Sequence, residues 1–224
     1  MAKKKRKNDS ALLIVLVLLA AFTVITYITV SFGGLGSSIY KNNSFSIADD
    51  QIPAEFIPIY KAAEEEFEVD WKLLAAIHKK ETKFSTMDTL VSPVGAEGHL
   101  QFMPCTWTGW SHPSCSGLGD GSIEEETKIS PDAISRYGGY GIDANGDGIA
   151  DPYDIEDAVF SAANYLEQNG AGRGHIQSAV YAYNRANWYV DDVIELYEGY
   201  QEGYQEIEVD ESHMIAVSIK TFIK

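Results

Sequence analysis

At 224 residues, 45% hydrophobic and 22% charged, the chain is long enough for one domain of about 150 residues with extra segments, and too apolar to be disordered throughout. Its formal charge is −16, from 17 Lys and Arg against 33 Asp and Glu, and beyond residue 40 the balance is 12 bases against 32 acids. So acidic a surface excludes nucleic acid as a partner, because phosphate binding needs clustered Lys and Arg.

Residues 1–10 form a basic tail holding Lys3, Lys4, Lys5, Arg6 and Lys7. Residues 11–32 follow with 22 positions and no charged side chain. As a helix that segment is about 33 Å long, enough to cross a hydrocarbon core of about 30 Å. A signal peptide has a shorter apolar region of about 7–15 residues, so a cut within residues 34–38 is the alternative, and an uncleaved transmembrane helix is the reading adopted. The cationic flank keeps the N-terminus cytoplasmic. The chain is thus predicted to be single-pass in the cell membrane, with the remainder in an oxidising, calcium-containing space outside. Residues 33–50, rich in Gly, Ser and Asn, read as a linker.

Beyond the linker the pattern is mainly α, in one domain over residues 51–202. Phe56, Ile59, Tyr60, Ala63 and Phe67 form a helix-spaced stripe within 54–68. Asp70 is the expected N-cap of a helix running to Lys83. Pro104 opens a short helix over 104–110. Asp154 to Gln168 carries Ala158, Val159, Ala162 and Leu166 in periodic positions and ends at Asn169-Gly170. Two further helices are expected over 175–186 and 187–202. Residues 203–224 form a C-terminal tail, in which Ile215, Val217 and Ile219 alternate and leave strand or loose tail open.

The chemistry concentrates in the second of these helices. Leu74, Ile77, His78 and Glu81 follow i, i+3, i+4, i+7 spacing and share one face. A glutamate on the inward face, near a helix C-terminus, is pushed toward its protonated form by burial and by the helix dipole. A carboxylic acid kept protonated near neutral pH is what general-acid cleavage of a glycosidic bond requires. The structural alternative is a Glu paired with Lys80, Lys83 or Arg185.

Three ordered blocks sharpen this. Leu73-Leu74-Ala75-Ala76-Ile77 is followed by Glu81-Thr82-Lys83-Phe84. Then comes Ser92-Pro93-Val94-Gly95-Ala96-Glu97-Gly98-His99-Leu100-Gln101-Phe102-Met103-Pro104, and later Ala182-Tyr183-Asn184-Arg185-Ala186. In these blocks the chain resembles lytic transglycosylases, lysozyme-like enzymes that cut peptidoglycan, over residues 54–200. The wording of the second block is closest to the membrane-bound lytic transglycosylase B type. The resemblance implies a lysozyme-like fold and Glu81 as catalytic acid. It implies that Ser92 and Gln101 line the sugar cleft, that Met103 forms its apolar floor, and that Tyr183 and Asn184 stand near the acid. Departures are Thr82 where Ser is usual, Ala186 where Gly is usual, and a long spacing from Glu81 to Ser92.

Residues 143–154 fit a twelve-residue calcium loop. Oxygen donors fall at Asp143, Asn145, Asp147, Asp151 and Asp154, with Gly148 at the sharp turn and the Ile149 carbonyl as a backbone ligand. Asp154 stands where a longer Glu usually chelates. The transglycosylase B type has a similar loop, followed by a block like Asp157-Ala158-Val159-Phe160-Ser161-Ala162-Ala163-Asn164-Tyr165-Leu166. Structural Ca2+ is therefore expected, against the alternative of a metal-free Asx-rich turn. Outside the cytoplasm Cys105 and Cys115 are expected to bridge and staple a loop. Trp107, Trp110, Tyr140 and Tyr183 are candidates to stack on sugar rings.

The function the resemblance implies is cleavage of the MurNAc–GlcNAc β-1,4 bond by Glu81, first as acid and then as base, leaving 1,6-anhydro-MurNAc ends. A lysozyme-type muramidase needs a second carboxylate about 5–9.5 Å from the first, for which Asp88 and Asp143 are the candidates. A non-catalytic module that binds glycan or scaffolds a secretion complex is the alternative from another class. The expected partners are glycan strands and the membrane. Conjugation or secretion machinery, wall growth and sporulation stay open as settings.

Overall fold

In a computed structural model the described residues are 46–209. The predicted anchor at residues 11–32 and the tail from residue 210 lie outside them. Among the described residues no helix is long and apolar enough to cross a membrane.

The described part is mainly helical. Strand β1, Gln51–Pro53, leads through a 3-10 turn at Ala54–Phe56 into helix α1, Ile57–Phe67. Pro58 sits in the first turn of α1, where its missing N–H costs no helical bond. Helix α2, Trp71–Thr82, starts at Asp70, whose carboxylate accepts the Lys72 N–H at 2.9 Å. Then come α3 (Pro104–Thr108), α4 (Glu125–Lys128) and α5 (Pro131–Tyr137). Helices α6 (Ile155–Gln168), α7 (Ile176–Tyr183) and α8 (Asn187–Glu202) complete the helical set. The chain then forms strand β2, Gln205–Ile207, which lies parallel to β1 with Ile52 opposite Glu206. Residues from the predicted tail thus pair with the start of the domain.

Helix α2 is the centre of the packing. Leu73, Leu74, Ala75, Ala76, Ile77 and His78 are all buried, because α1 and α8 cover opposite sides of it. Helix α8 runs antiparallel to α2. Its Tyr197 and Gln201 donate to the carboxylate of Asp70 at one end, and its Tyr189 reaches Glu81 at the other. Helix α6 packs against α1 and also touches α2, with Phe67 and Phe160 edge-on at 6.2 Å.

The connection from α2 to α3 is irregular and built to order. Lys83, Phe84 and Ser85 all have positive φ, at 53°, 57° and 62°. Three consecutive non-glycine residues there cost on the order of 1 kcal/mol each and persist only where the surroundings hold them. Phe84 and Ser85 are fully buried, and Ser85 N–H donates to Thr82 Oγ1 at 3.1 Å. Further on, Gly98 lies so close to the acidic loop that an added Cβ would stand 1.9 Å from the Pro152 carbonyl oxygen. Only glycine fits that contact.

Candidate functional site

Glu81 stands in the last turn of α2, partly buried. Tyr189 Oη donates to its Oε1 at 2.5 Å. Burial pushes its carboxyl up to about 7, against the lowering effects of the Tyr189 hydrogen bond and of the Lys80 charge. The alternative of an ion-paired surface Glu is not what the geometry forms. Lys80 turns to α8, where it pairs with Asp192 and lies 5.1 Å from the ring centroid of Trp188. Among the described residues Glu81 has no ion-pair partner. The Tyr189 and Tyr183 hydroxyls are both held well above their ordinary pKa, first by burial and then by the Glu81 charge, so all three groups share one environment.

The tyrosine contact gives a direct expectation. Tyr189→Phe removes a donor that favours the carboxylate, so the Glu81 carboxyl rises further. The alkaline limb of any Glu81-dependent activity moves to higher pH, as a pH–rate profile of the two proteins reads.

Around the acid, the motif residues divide into groove and scaffold. Gln101, Met103 and Tyr183 line a groove of about 390 Å3, together with Thr106, Trp110 and Arg185. Glu81, Ser92 and Asn184 are not among its lining residues. The groove residue nearest to it in effect is Tyr183, whose hydroxyl donates to Leu100 O at 2.7 Å and whose pKa is raised in part by the Glu81 charge. Gln101 has a left-handed backbone, φ 51°, and its side-chain NH2 donates to Leu90 O and Gly98 O at 2.8 Å each. That bracing fixes the turn that carries Met103. Ser92 Oγ accepts the Ala96 N–H at 2.8 Å and so closes a turn. Asn184 ends α7, in extended conformation. A larger groove, about 770 Å3, lies between α7 and α8 and contains Asp191, Glu195, Glu198 and Glu202. None of the motif residues reaches it, so the smaller groove is the candidate site.

Two aromatic expectations are corrected. Trp107 is buried and packs on Phe102 at 5.3 Å, so it belongs to the core and offers no face to a sugar. Tyr140 packs against Tyr165 at 4.6 Å and is absent from the groove lining. Trp110 keeps an open face. The loop that bears it is closed by the Cys105–Cys115 disulfide, with Cα atoms 5.7 Å apart.

Behind the site runs a buried polar chain that no local spacing announced. Tyr60 Oη meets His78 Nδ1 at 2.6 Å, and His78 Nε2 meets Ser85 Oγ at 2.7 Å. Ser85 Oγ meets His99 Nδ1 at 2.6 Å, and His99 Nε2 meets the Tyr153 carbonyl at 3.0 Å. The carbonyl can only accept, so with one proton per ring the direction is fixed along the whole chain. His99 Nε2–H donates to it, Ser85 donates to His99, His78 Nε2–H donates to Ser85, and Tyr60 donates to His78. Both imidazoles are neutral, their pKa values lowered first by burial. The chain ties α1 and α2 to the segment before Gln101 and to the end of the acidic loop.

That loop is internally braced. Asp143 accepts the N–H groups of Asp147 at 3.0 Å and Gly148 at 2.8 Å, and Asn145 Oδ1 accepts that of Asp147 at 2.9 Å. Asp147 accepts from Ile149 N–H, and Asp151 from Tyr153 N–H. Asp154 caps α6 through the N–H groups of Glu156 and Asp157. Asp157, fully buried, holds the loop by accepting from Ala144, Asn145 and Asp151. Among the described residues no group of three or more His, Cys, Asp or Glu is placed to hold a metal ion. The donor chemistry, all oxygen, suits a hard cation such as calcium.

Compared with protein-family models, curated proteins and solved structures, the chain matches none.

Proposed function

We propose that the chain is an extracytoplasmic lytic transglycosylase with a lysozyme-like fold, anchored at residues 11–32 and acting on peptidoglycan glycan strands. The observation that carries the reading is a partly buried Glu81 with its carboxyl pushed up to about 7, whose charge acts on Tyr183 in the lining of a groove that also holds Gln101 and Met103. A proton held near neutral pH suits transfer to the oxygen between MurNAc and GlcNAc. The resulting carboxylate then takes the proton of the muramic C6 hydroxyl as that oxygen attacks C1, closing the 1,6-anhydro ring.

The groups that act on Glu81 are burial, Tyr189 and Lys80, with no second acid among them. Asp143 spends its carboxylate inside the loop, and Asp88 is exposed. This favours internal attack over a muramidase, which needs a base for water. Mass spectrometry of muropeptides released from purified wall tests it. Anhydro ends are expected. Reducing ends would assign a muramidase, and no release by the wild type would leave a binding module.

Calcium, where bound, belongs to residues 143–154 and acts on structure alone. Asp143, Asn145, Asp147, the Ile149 carbonyl, Asp151 and Asp154 would be its donors, and the ion would neutralise carboxylates that otherwise repel. At a hundredfold excess over Kd such binding adds about 2.7 kcal/mol to stability. Calcium is therefore expected to raise the Tm by several degrees over a chelated sample, and Asp147→Ala to abolish the difference. An unchanged Tm would show a metal-free turn.

A further inference from the structure

From the groove lining we infer that Arg185 selects glycan whose muramic acid carries a free carboxylate, while Trp110 beside it supplies a stacking face for the sugar ring. The inference rests on the transglycosylase reading and names the substrate feature that its groove discriminates.

Among the described residues Arg185 is the only charged side chain that lines this groove. It stands out against its surroundings, since residues 46–209 hold nine Lys and Arg against thirty Asp and Glu. The other bases are largely committed. Lys79, Lys80, Lys128 and Arg173 form ion pairs, and Lys61 and Lys72 lie over Trp71. Among the described residues Arg185 has no ion-pair partner. Its planar fork matches a carboxylate with two parallel hydrogen bonds. The many acids elsewhere repel an anionic polymer, but their field is screened beyond about 8 Å at physiological ionic strength. At contact the guanidinium dominates.

Trp110 is built to present a face. It is 52% exposed, although large apolar side chains usually hide, and Leu118, also in the lining, is 74% exposed. The ring rests on bare backbone at Gly119, where an added Cβ would lie 3.0 Å from it. Gly119 O in turn accepts the Cys105 N–H at 2.9 Å, so the platform is tied to the disulfide. A rigid aromatic face loses little freedom when a sugar covers it. Neutral sugar contacts from Trp110 and one charged contact from Arg185 together separate muramic acid from plain N-acetylglucosamine chains.

The carboxylate has two sources: the lactyl group itself in peptide-free strands, and the stem peptide in substituted ones. The test uses the full chain carrying Glu81→Gln, so that binding is read without turnover. Titration calorimetry is run with chitohexaose, peptide-free glycan strands and peptide-bearing strands. Arg185→Ala is expected to weaken carboxylate-bearing strands about tenfold and to leave chitohexaose unchanged. Arg185→Lys recovers part of the loss, and the contrast shrinks at about 0.5 M salt. Whichever strand loses more identifies the carboxylate recognised. Trp110→Ala weakens all three ligands alike. Equal loss on chitohexaose and strands, or no loss on either, would overturn the role of Arg185 while the glycan reading stands. Failure of every ligand to bind the Glu81→Gln chain and the wild type would overturn both.

Discussion

Glu81→Gln is expected to lower wall-lytic activity by about 10³-fold while the protein stays folded, since a positioned acid and base contributes roughly 10²–10⁴. The amide keeps the shape and the Tyr189 contact but carries no acidic proton. Zymograms on cell-wall gels and muropeptide release both read the loss, and clearing retained by the variant would sink the enzyme reading. The wild type should also show an alkaline limb near pH 7, because the working form is the protonated one and its carboxyl titrates at about 7. Stability changes in the opposite sense. The folded protein holds this proton above the ordinary carboxyl range and the unfolded chain does not, so stability falls as pH rises between the two values. Glu81→Gln removes that penalty. At pH 8 the variant should be more stable than the wild type by about 1–3 kcal/mol in urea unfolding. Equal stability at pH 8 would place the carboxyl in open water, and a less stable variant would mean that the fold favours the carboxylate.

Ser85→Ala carries the largest expected loss of stability, about 2–4 kcal/mol, because it strips two buried imidazoles of a partner at once. His78 Nε2–H is left without an acceptor, and His99 Nδ1 without a donor. Ser122→Ala, on an exposed loop, is the matched control and should stay within about 0.5 kcal/mol. The same chain sets the acid limit. His78 and His99 have lowered pKa values in the fold, whereas in the unfolded chain each takes a proton below about 6.5. Stability is therefore lost as pH falls below about 6.5. Glu81 and Asp157, whose carboxyl is raised to about 6 by burial, pull the other way over that range, so the Glu81→Gln background removes the first of these opposing effects. Flat stability down to pH 5 in that background would mean the imidazoles are not held neutral.

How much of this the sequence carried depends on how local each signal was. Helix α2 was legible because its apolar spacing, its Asp70 cap and its acid all lie within a dozen residues, and α6 because Asp154 and Asn169 bracket a periodic run. Helices α4 and α5 were missed. No apolar periodicity marks residues 125–128, although Ser130 before Pro131 and Gly138 after Tyr137 are ordinary helix boundaries. Tyr189 was invisible as the partner of Glu81, because 108 positions separate them and only the antiparallel packing of α2 and α8 brings them together. The histidines show the same limit. His99 bonds the Tyr153 carbonyl, 54 positions away, and its serine link to His78 depends on three left-handed residues that no pattern foretold. Aromatic abundance misled at Trp107, since a residue count does not distinguish a ring inside the core from one on the rim.

The parallel pairing of β1 with β2 has a mechanical consequence. Among the described residues the chain is first buried at Ile47, runs into β1 at Gln51 and leaves β2 past Ile207 with Val209 still buried, and the two strands run side by side in the same direction. Tension applied to the two flanking segments therefore pulls the strands along their length, in shear, and loads their hydrogen bonds together instead of one after another. A body tethered through its ends is clamped at the point where force arrives, and the helices behind the clamp, with the groove between them, are spared the strain.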